Sequence, residues 1–177
     1  MKRVFVILTA VAIGVSVVPA QSQVKKSTVP GIVNFAQVET TVACAGAITP
    51  ASVGGIKKMG FASIINLRLA TEQGADIDAE AAAAKAAGIN FVHLPFNGNA
   101  PDPTIADRFL ATITEPGNQP AFIHCASGNR AAAMWLIKRV LVDKWDNDRA
   151  SEEAAQLGLI NQPLKTFALD YIQAHKR

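Results

Sequence analysis

Pro120-Ala121-Phe122-Ile123-His124-Cys125-Ala126-Ser127-Gly128-Asn129-Arg130 decides how this chain is read. The first four residues form an apolar run of strand character. Behind the arginine, Ala131 to Lys144 is apolar at helical spacing. The stretch therefore reads as strand, tight loop, helix. In that arrangement the loop N–H groups and the helix N-terminus converge on one point and favour an anion there. A cysteine at that point has its thiolate stabilised, and the thiolate is the nucleophile. Arg130 adds a planar fork of donors that suits a tetrahedral oxyanion. The chemistry implied is attack by sulfur on an anionic substrate.

Working outward, strands and helices alternate. Phe35 to Ala43 carries β-branched residues of one or two short strands. Thr49-Pro50 begins a helix that runs to about Met59 and stops at Gly60. Phe61 to Leu67 has the continuous apolar character of a buried parallel strand. A helix over Asp76–Ala87 ends at Gly88, a strand covers Ile89–Leu94, and Asp102-Pro103 opens a helix to about Thr114. A helix starting at Ser151 ends near Gly158, and the last runs from Pro163 to about His175. This order implies an α/β fold with a mostly parallel central sheet flanked by helices. Ligands of such sheets bind beyond the carboxyl ends of strands. The Cys125 loop, Asn66-Leu67-Arg68 and Pro95-Phe96-Asn97 should then share one rim.

The first 20 residues read as an address. Lys2 and Arg3 precede the apolar stretch Val4 to Val18, and Val18-Pro19-Ala20 offers small residues for cleavage after Ala20. The stretch is too short for a stable membrane anchor, and export, most simply to a bacterial periplasm, is the expectation. Residues 21–34 are polar with Pro30-Gly31 and read as a flexible linker, leaving 35–177 as one domain. Lys2 and Arg3 account for two of the 17 basic residues, which face 14 acidic ones, so the formal charge of +3 falls to about +1 on cleavage. With no basic run interleaved with aromatics, nucleic acid is not an expected partner. His93, His124 and His175 lack metal-ligand spacing, and there is no dinucleotide fingerprint or P-loop lysine, so no cofactor is expected. The two cysteines, Cys44 and Cys125, leave three readings open in an oxidising compartment: a structural disulfide, a reversible one, or two free thiols.

The segments together resemble the cysteine-dependent phosphatases of the protein tyrosine and dual-specificity fold. The likeness is carried by Ala45-Gly46 with Thr49-Pro50, by Met59-Gly60-Phe61 through Ile65-Asn66-Leu67-Arg68, by Ala87-Gly88-Ile89 through His93-Leu94-Pro95-Phe96, and by His124 to Arg130. It points to a bacterial branch related to the phosphatase-like domain of β-lactamase-hydrolase-like proteins. The resemblance implies hydrolysis of phosphate monoesters, on a protein or a small molecule, through a phosphocysteine on Cys125. Arg130 and the loop residues Ala126, Ser127, Gly128 and Asn129 would bind the phosphoryl oxygens, while His124 would hold the loop shape and favour the thiolate, a satisfied core histidine being the alternative. The general acid of this fold lies on a loop upstream of the cysteine, where Asp102 is the carboxylate in Asn97–Asp102; Asp102 is also well placed as a helix cap. Arg68 is a second anion contact or a surface residue.

Two features depart from that pattern. Four residues separate Cys125 from Arg130 where tyrosine phosphatases have five, a length similar to rhodanese sulfurtransferases. Ala131 stands where phosphatases carry Ser or Thr. A Cys125 persulfide enzyme and a non-catalytic anion-binding module are therefore the alternative readings.

Overall fold

The computed structural model describes residues 24–176. Its frame is a six-stranded sheet of β1 (Val24–Lys26), β2 (Ala36–Val38), β3 (Val42–Ala45), β4 (Ser63–Asn66), β5 (Asn90–His93) and β6 (Ala121–His124). The spatial order is β1-β2-β3-β6-β4-β5. From β3 to β5 the strands are parallel, and β2 and β1 extend the sheet as an antiparallel edge. The mostly parallel sheet expected from the sequence is the one observed.

The helices are α1 (Val53–Lys58, led in by a 3-10 turn at Pro50–Ser52), α2 (Ile77–Ala87), α3 (Pro103–Thr114), α4 (Asn129–Leu141), α5 (Asn147–Leu157) and α6 (Gln162–His175). Because strand side chains alternate between faces, neighbouring residues of one strand enter different cores. Ile64 and Phe122 pack with Val53 and Ile56 of α1 and Ala84 of α2. Ile65 and Ile123 pack on the other face with Phe109 of α3, Leu136 of α4, Ala154 of α5 and Ala168 of α6. Every residue of α4 from Arg130 to Val140 is buried, which explains why its sequence is apolar on all sides. Lys138 and Arg139 enter that surrounding only with partners. Lys138 meets Asp143 at 2.8 Å and Arg139 meets Glu153 at 2.7 Å, with the Arg139 guanidinium between the rings of Trp135 and Trp145.

Two expectations about boundaries change. The segment read as a flexible linker is built into the fold from Val24 onward: β1 pairs with β2, and Ile32 is buried and bridges Val29 and Ile48. A few apolar residues in a polar stretch suffice when a sheet edge lies within reach. Helix α5 starts at Asn147 rather than Ser151, because the Asp146 carboxylate accepts the Arg149 N–H at 2.8 Å and caps it. The expected leader, residues 1–20, lies outside the described residues. Among those described, no helix is long and apolar enough to cross a membrane.

Candidate active site

Strand β6 lies in the middle of the sheet, between β3 and β4, and its carboxyl end delivers the Cys125 loop to the N-terminus of α4. Bonds from neighbouring segments fix the loop's outward carbonyls. The Ala126 C=O accepts the Ala47 N–H at 2.9 Å, and the Ser127 C=O accepts Asn34 Nδ2–H at 3.1 Å. Gly46 permits the close approach, since a Cβ there would lie 2.9 Å from the Ala126 carbonyl oxygen. Gly128 supplies the turn into the helix at φ 102°, a conformation that favours glycine. No side chain caps α4. Asn129, a capping residue by type, instead accepts the N–H groups of Ile160 and Asn161 at 2.8 Å each and donates to Ser127 Oγ. The helix N-terminus thus remains open to an anion.

Cys125 is buried at the base of this loop, and its Sγ accepts the Gly128 N–H at 3.1 Å. Cys44 is also a free, buried thiol. It registers with Ile123, two residues before Cys125 along the neighbouring strand. Burial pushes the Cys44 thiol far above its ordinary value, and the nearby Cys125 adds to the effect. Of the two sulfurs, Cys125 is the one that stands at a helix N-terminus, with the Gly128 N–H directed at it.

The Arg130 side chain crosses to the ends of the other strands. Nη1 donates to the Leu67 and Phe96 carbonyls, each at 2.9 Å. The guanidinium also forms a two-pronged pair with Glu72, Nη1 to Oε1 at 2.6 Å and Nη2 to Oε2 at 2.8 Å. The Phe96 ring lies 5.8 Å from the guanidinium carbon. Burial opposes the arginine's charge, but Glu72 and the Cys125 sulfur outweigh it and hold the group more firmly protonated than usual. Burial likewise works against the Glu72 carboxylate. The Arg130 bond, the Leu69 N–H and Arg68 prevail and bring its pKa down to about 2.

Glu72 was not singled out by the sequence. It lies in the loop between β4 and α2, where no periodicity marks it. The available signal was its position four residues after Arg68, at the end of a parallel strand.

A cavity of about 300 Å³ opens over this arrangement, lined by Arg130, Glu72, Ser127, Asn129 and Asn97 together with Gly98, Asn99, Asn161, Leu69 and Leu164. Gly98 lets the upstream loop close on the arginine stem: a Cβ there would meet Arg130 Cγ at 3.3 Å. The structure therefore brings together Cys125, Ala126, Ser127, Gly128, Asn129 and Arg130, with Ser127, Asn129 and Arg130 on the cavity wall.

Arg68 and Asp102 are placed elsewhere. Arg68 is buried and donates to the Gln73 and Gly74 carbonyls and to Glu72, so it braces the Glu72 loop from behind. Asp102 caps α3, accepting the Thr104 N–H at 2.8 Å. Thr104 also keeps its carboxyl below the usual range, and it does not line the cavity. Asp107 accepts a hydrogen bond from the Tyr171 hydroxyl. Among the described residues, no group of three or more His, Cys, Asp or Glu side chains could hold a metal ion.

A parallel sheet presenting a cysteine–arginine loop at a helix N-terminus defines the class of cysteine-dependent phosphatase folds. Within it, residues 34–142 match the family model of the phosphatase-like domain of β-lactamase hydrolase-like protein, and the chain belongs to that family.

Solved structures share the fold. A DUF442 protein of Shewanella putrefaciens CN-32, described as a candidate phosphatase, superposes with a TM-score of 0.70 at 17% identity, over 83% of this chain and 94% of that one. TpbA of P. aeruginosa, as a cysteine-to-serine variant in complex with pTyr, gives 0.63 at 18% identity over 89% and 91%. The core catalytic domain of the S. cerevisiae PP-IP phosphatase SIW14, in complex with citrate, gives 0.60 at 17% over 77% and 90%. No curated protein sequence matches the chain.

Proposed function

We propose that this chain is an exported, cysteine-dependent phosphatase acting on phosphate monoesters. The observation that carries the reading is the Cys125 sulfur held by the Gly128 N–H at the open N-terminus of α4, beside an arginine fixed by Glu72. Cys125 Sγ attacks phosphorus and forms the S–P bond as the ester P–O bond breaks, its electron pair leaving with the alcohol oxygen. Water then attacks the phosphocysteine, the S–P bond breaks, and phosphate leaves with the thiolate restored. A guanidinium carries five N–H donors. Glu72 and two carbonyls engage Nη1 and one side of Nη2, and the rest of the fork faces the Cys125 sulfur, where phosphoryl oxygens would bind. Loop and helix N–H groups would hold the other oxygens as charge develops.

Among the described residues, the cavity holds no carboxyl group poised to protonate the leaving oxygen. Glu72 is held ionised, and Asp102 would have to release α3 to reach the cavity. As arranged, the site suits leaving groups that depart as stable anions, such as phenolates. The pTyr complex of TpbA supports a phosphorylated protein or small aryl ester as substrate.

Sulfur transfer is favoured by two specific observations, the four-residue loop and a cavity whose carboxylate among the described residues, Glu72, is held ionised, because it needs no proton donor. In that reaction the Cys125 thiolate takes the outer sulfur of thiosulfate as a persulfide and releases sulfite. Mass spectrometry of the reduced protein separates the readings. Acid quenching during turnover of an aryl phosphate should trap one phosphoryl group on Cys125. A sulfur gained from thiosulfate, with no phosphoryl adduct, would replace the phosphatase reading. If neither adduct forms but phosphate binds, the chain is an anion-binding module.

A further inference from the structure

Among the described residues, four large hydrophobic side chains are exposed: Val33, Met59, Val142 and Ile160. Met59 follows α1 and Val142 follows α4, at the end of the sheet where the parallel strands begin. Val33 and Ile160 lie at the other end, on segments bonded to the Cys125 loop. Asn34, next to Val33, donates to the Ser127 C=O, and the Ile160 N–H is bonded to Asn129 Oδ1 at 2.8 Å. Ile160 is the more exposed of the two, at 85%.

A lone aliphatic side chain in water is ordinary on a protein surface. Ile160 differs in being held still beside a cavity. Leu159 before it is buried, with its N–H on the Ala154 C=O at 2.9 Å. Asn161 after it shares Asn129 Oδ1 at 2.8 Å, and its own carboxamide caps α6 by accepting the Leu164 N–H at 2.9 Å. Leu159 takes the inward place, so Ile160 projects outward from a loop already fixed to the start of α4. Contact with it would carry no cost of ordering that loop. Ile160 stands outside the cavity, whereas Asn161 lines it, which places Ile160 at the rim.

The wall below that rim is close to neutral. Among the described residues, its one cation is Arg130 and its one carboxylate is Glu72, paired with it; Asn97, Asn99, Asn161 and Ser127 are uncharged. Arg68 is buried and turned to the Glu72 loop, and Lys165 lines a different cavity with Asn147 and Glu152. His124 belongs to the opposite face of the sheet, 3.3 Å from the Glu80 carboxylate, and does not reach the wall. The loop amides and Arg130 can therefore hold one phosphoryl group. A second anionic group beside it would find no free cation in the wall and would face Glu72, and like charges brought together are penalised.

We propose that Ile160 is a specificity-determining residue, seating an apolar side chain that flanks a phosphotyrosine in a polypeptide substrate. The proposal rests on the phosphatase reading and names the substrate class of that same site. A phenolic ester is the kind of leaving group that the site suits. In a polypeptide, the residues on either side of the phosphorylated ring must leave the cavity over its rim, where Ile160 waits. A small aryl phosphate would stay within the cavity and never meet it.

The test is the binding of two fluorescent phosphotyrosine peptides to the protein carrying Cys125→Ser, read by anisotropy beside turnover by the unaltered, reduced protein. The peptides differ only in having leucine or glutamate on both sides of the phosphotyrosine. The leucine peptide should bind about tenfold more tightly. Ile160→Ser should weaken that peptide about five- to tenfold while shifting competition by phenyl phosphate less than about twofold. Ile160→Leu should restore binding of the leucine peptide. Equal binding of the two peptides would overturn the proposal, and so would an Ile160→Ser effect equal for peptide and phenyl phosphate. Turnover of phenyl phosphate with neither peptide bound would also overturn it and make a small aryl ester the substrate. Peptide binding with the expected discrimination but no turnover would remove the phosphatase reading and leave the recognition role of Ile160 standing. Neither binding nor turnover would remove both.

Discussion

Among single residues, Glu72 does more for the site than its anonymity in the sequence suggests. It gives Arg130 a fixed direction through two charged hydrogen bonds, interactions each worth about 1.5–3 kcal/mol in general. Glu72→Gln should therefore lower kcat/KM on an aryl phosphate by roughly 10–100-fold, read by steady-state kinetics. The pH dependence has a definite sign. The Glu72 carboxyl is held at about 2, below its ordinary 4.5. Its contribution to stability is thus full above pH 4.5 and fades as the pH falls towards 2. The wild-type protein should lose stability more steeply than Glu72→Gln across that window in acid-unfolding curves.

Cys125 and Arg130 were legible because six consecutive positions of one loop hold both. The Glu72–Arg130 pair was not, because 58 positions separate its members and the contact joins a loop to a helix start, which no local pattern records.

For the elements, the loop and α4 depend on close backbone approaches. Gly46→Ala would press a methyl group against the Ala126 carbonyl oxygen at 2.9 Å, so the loop must shift. Activity should fall further than stability, as comparison of turnover with Tm would reveal. Asp102 is tested by two substitutions. Asp102→Asn keeps a capping side chain for α3 and should leave aryl phosphate turnover within about twofold, whereas Asp102→Ala should lower Tm. A loss of about 10²-fold or more in kcat with Asp102→Asn would instead show proton donation by this residue in the working enzyme.

The helix–strand alternation was legible here where a helix carries its own start and stop, such as Asp76 and Gly88 around α2. The Asp146 cap of α5 was hidden by the polar run around it. Strand β1 was hidden for a different reason: its three residues gain their place from pairing with β2, and pairing is not a local property.

At the scale of the whole molecule, the antiparallel edge and α6 close the structure around the parallel core. A chain beginning at Phe35 would lose β1, the buried Ile32 and the Asn34 bond to the Ser127 C=O. It should melt at a lower temperature and bind phosphate more weakly. Export is a proposal on the same scale: N-terminal sequencing of protein recovered from the periplasm should begin at Gln21, and an intact Met1 terminus would contradict cleavage after Ala20.

The central claim is that Cys125 does phosphatase chemistry in a four-residue loop. Its most direct test is hydrolysis of a generic aryl phosphate by the reduced mature protein, beside its Cys125→Ser variant. The account predicts turnover that vanadate inhibits and that disappears with serine. A folded, fully reduced protein with no turnover, or turnover that survives in Cys125→Ser, would contradict it.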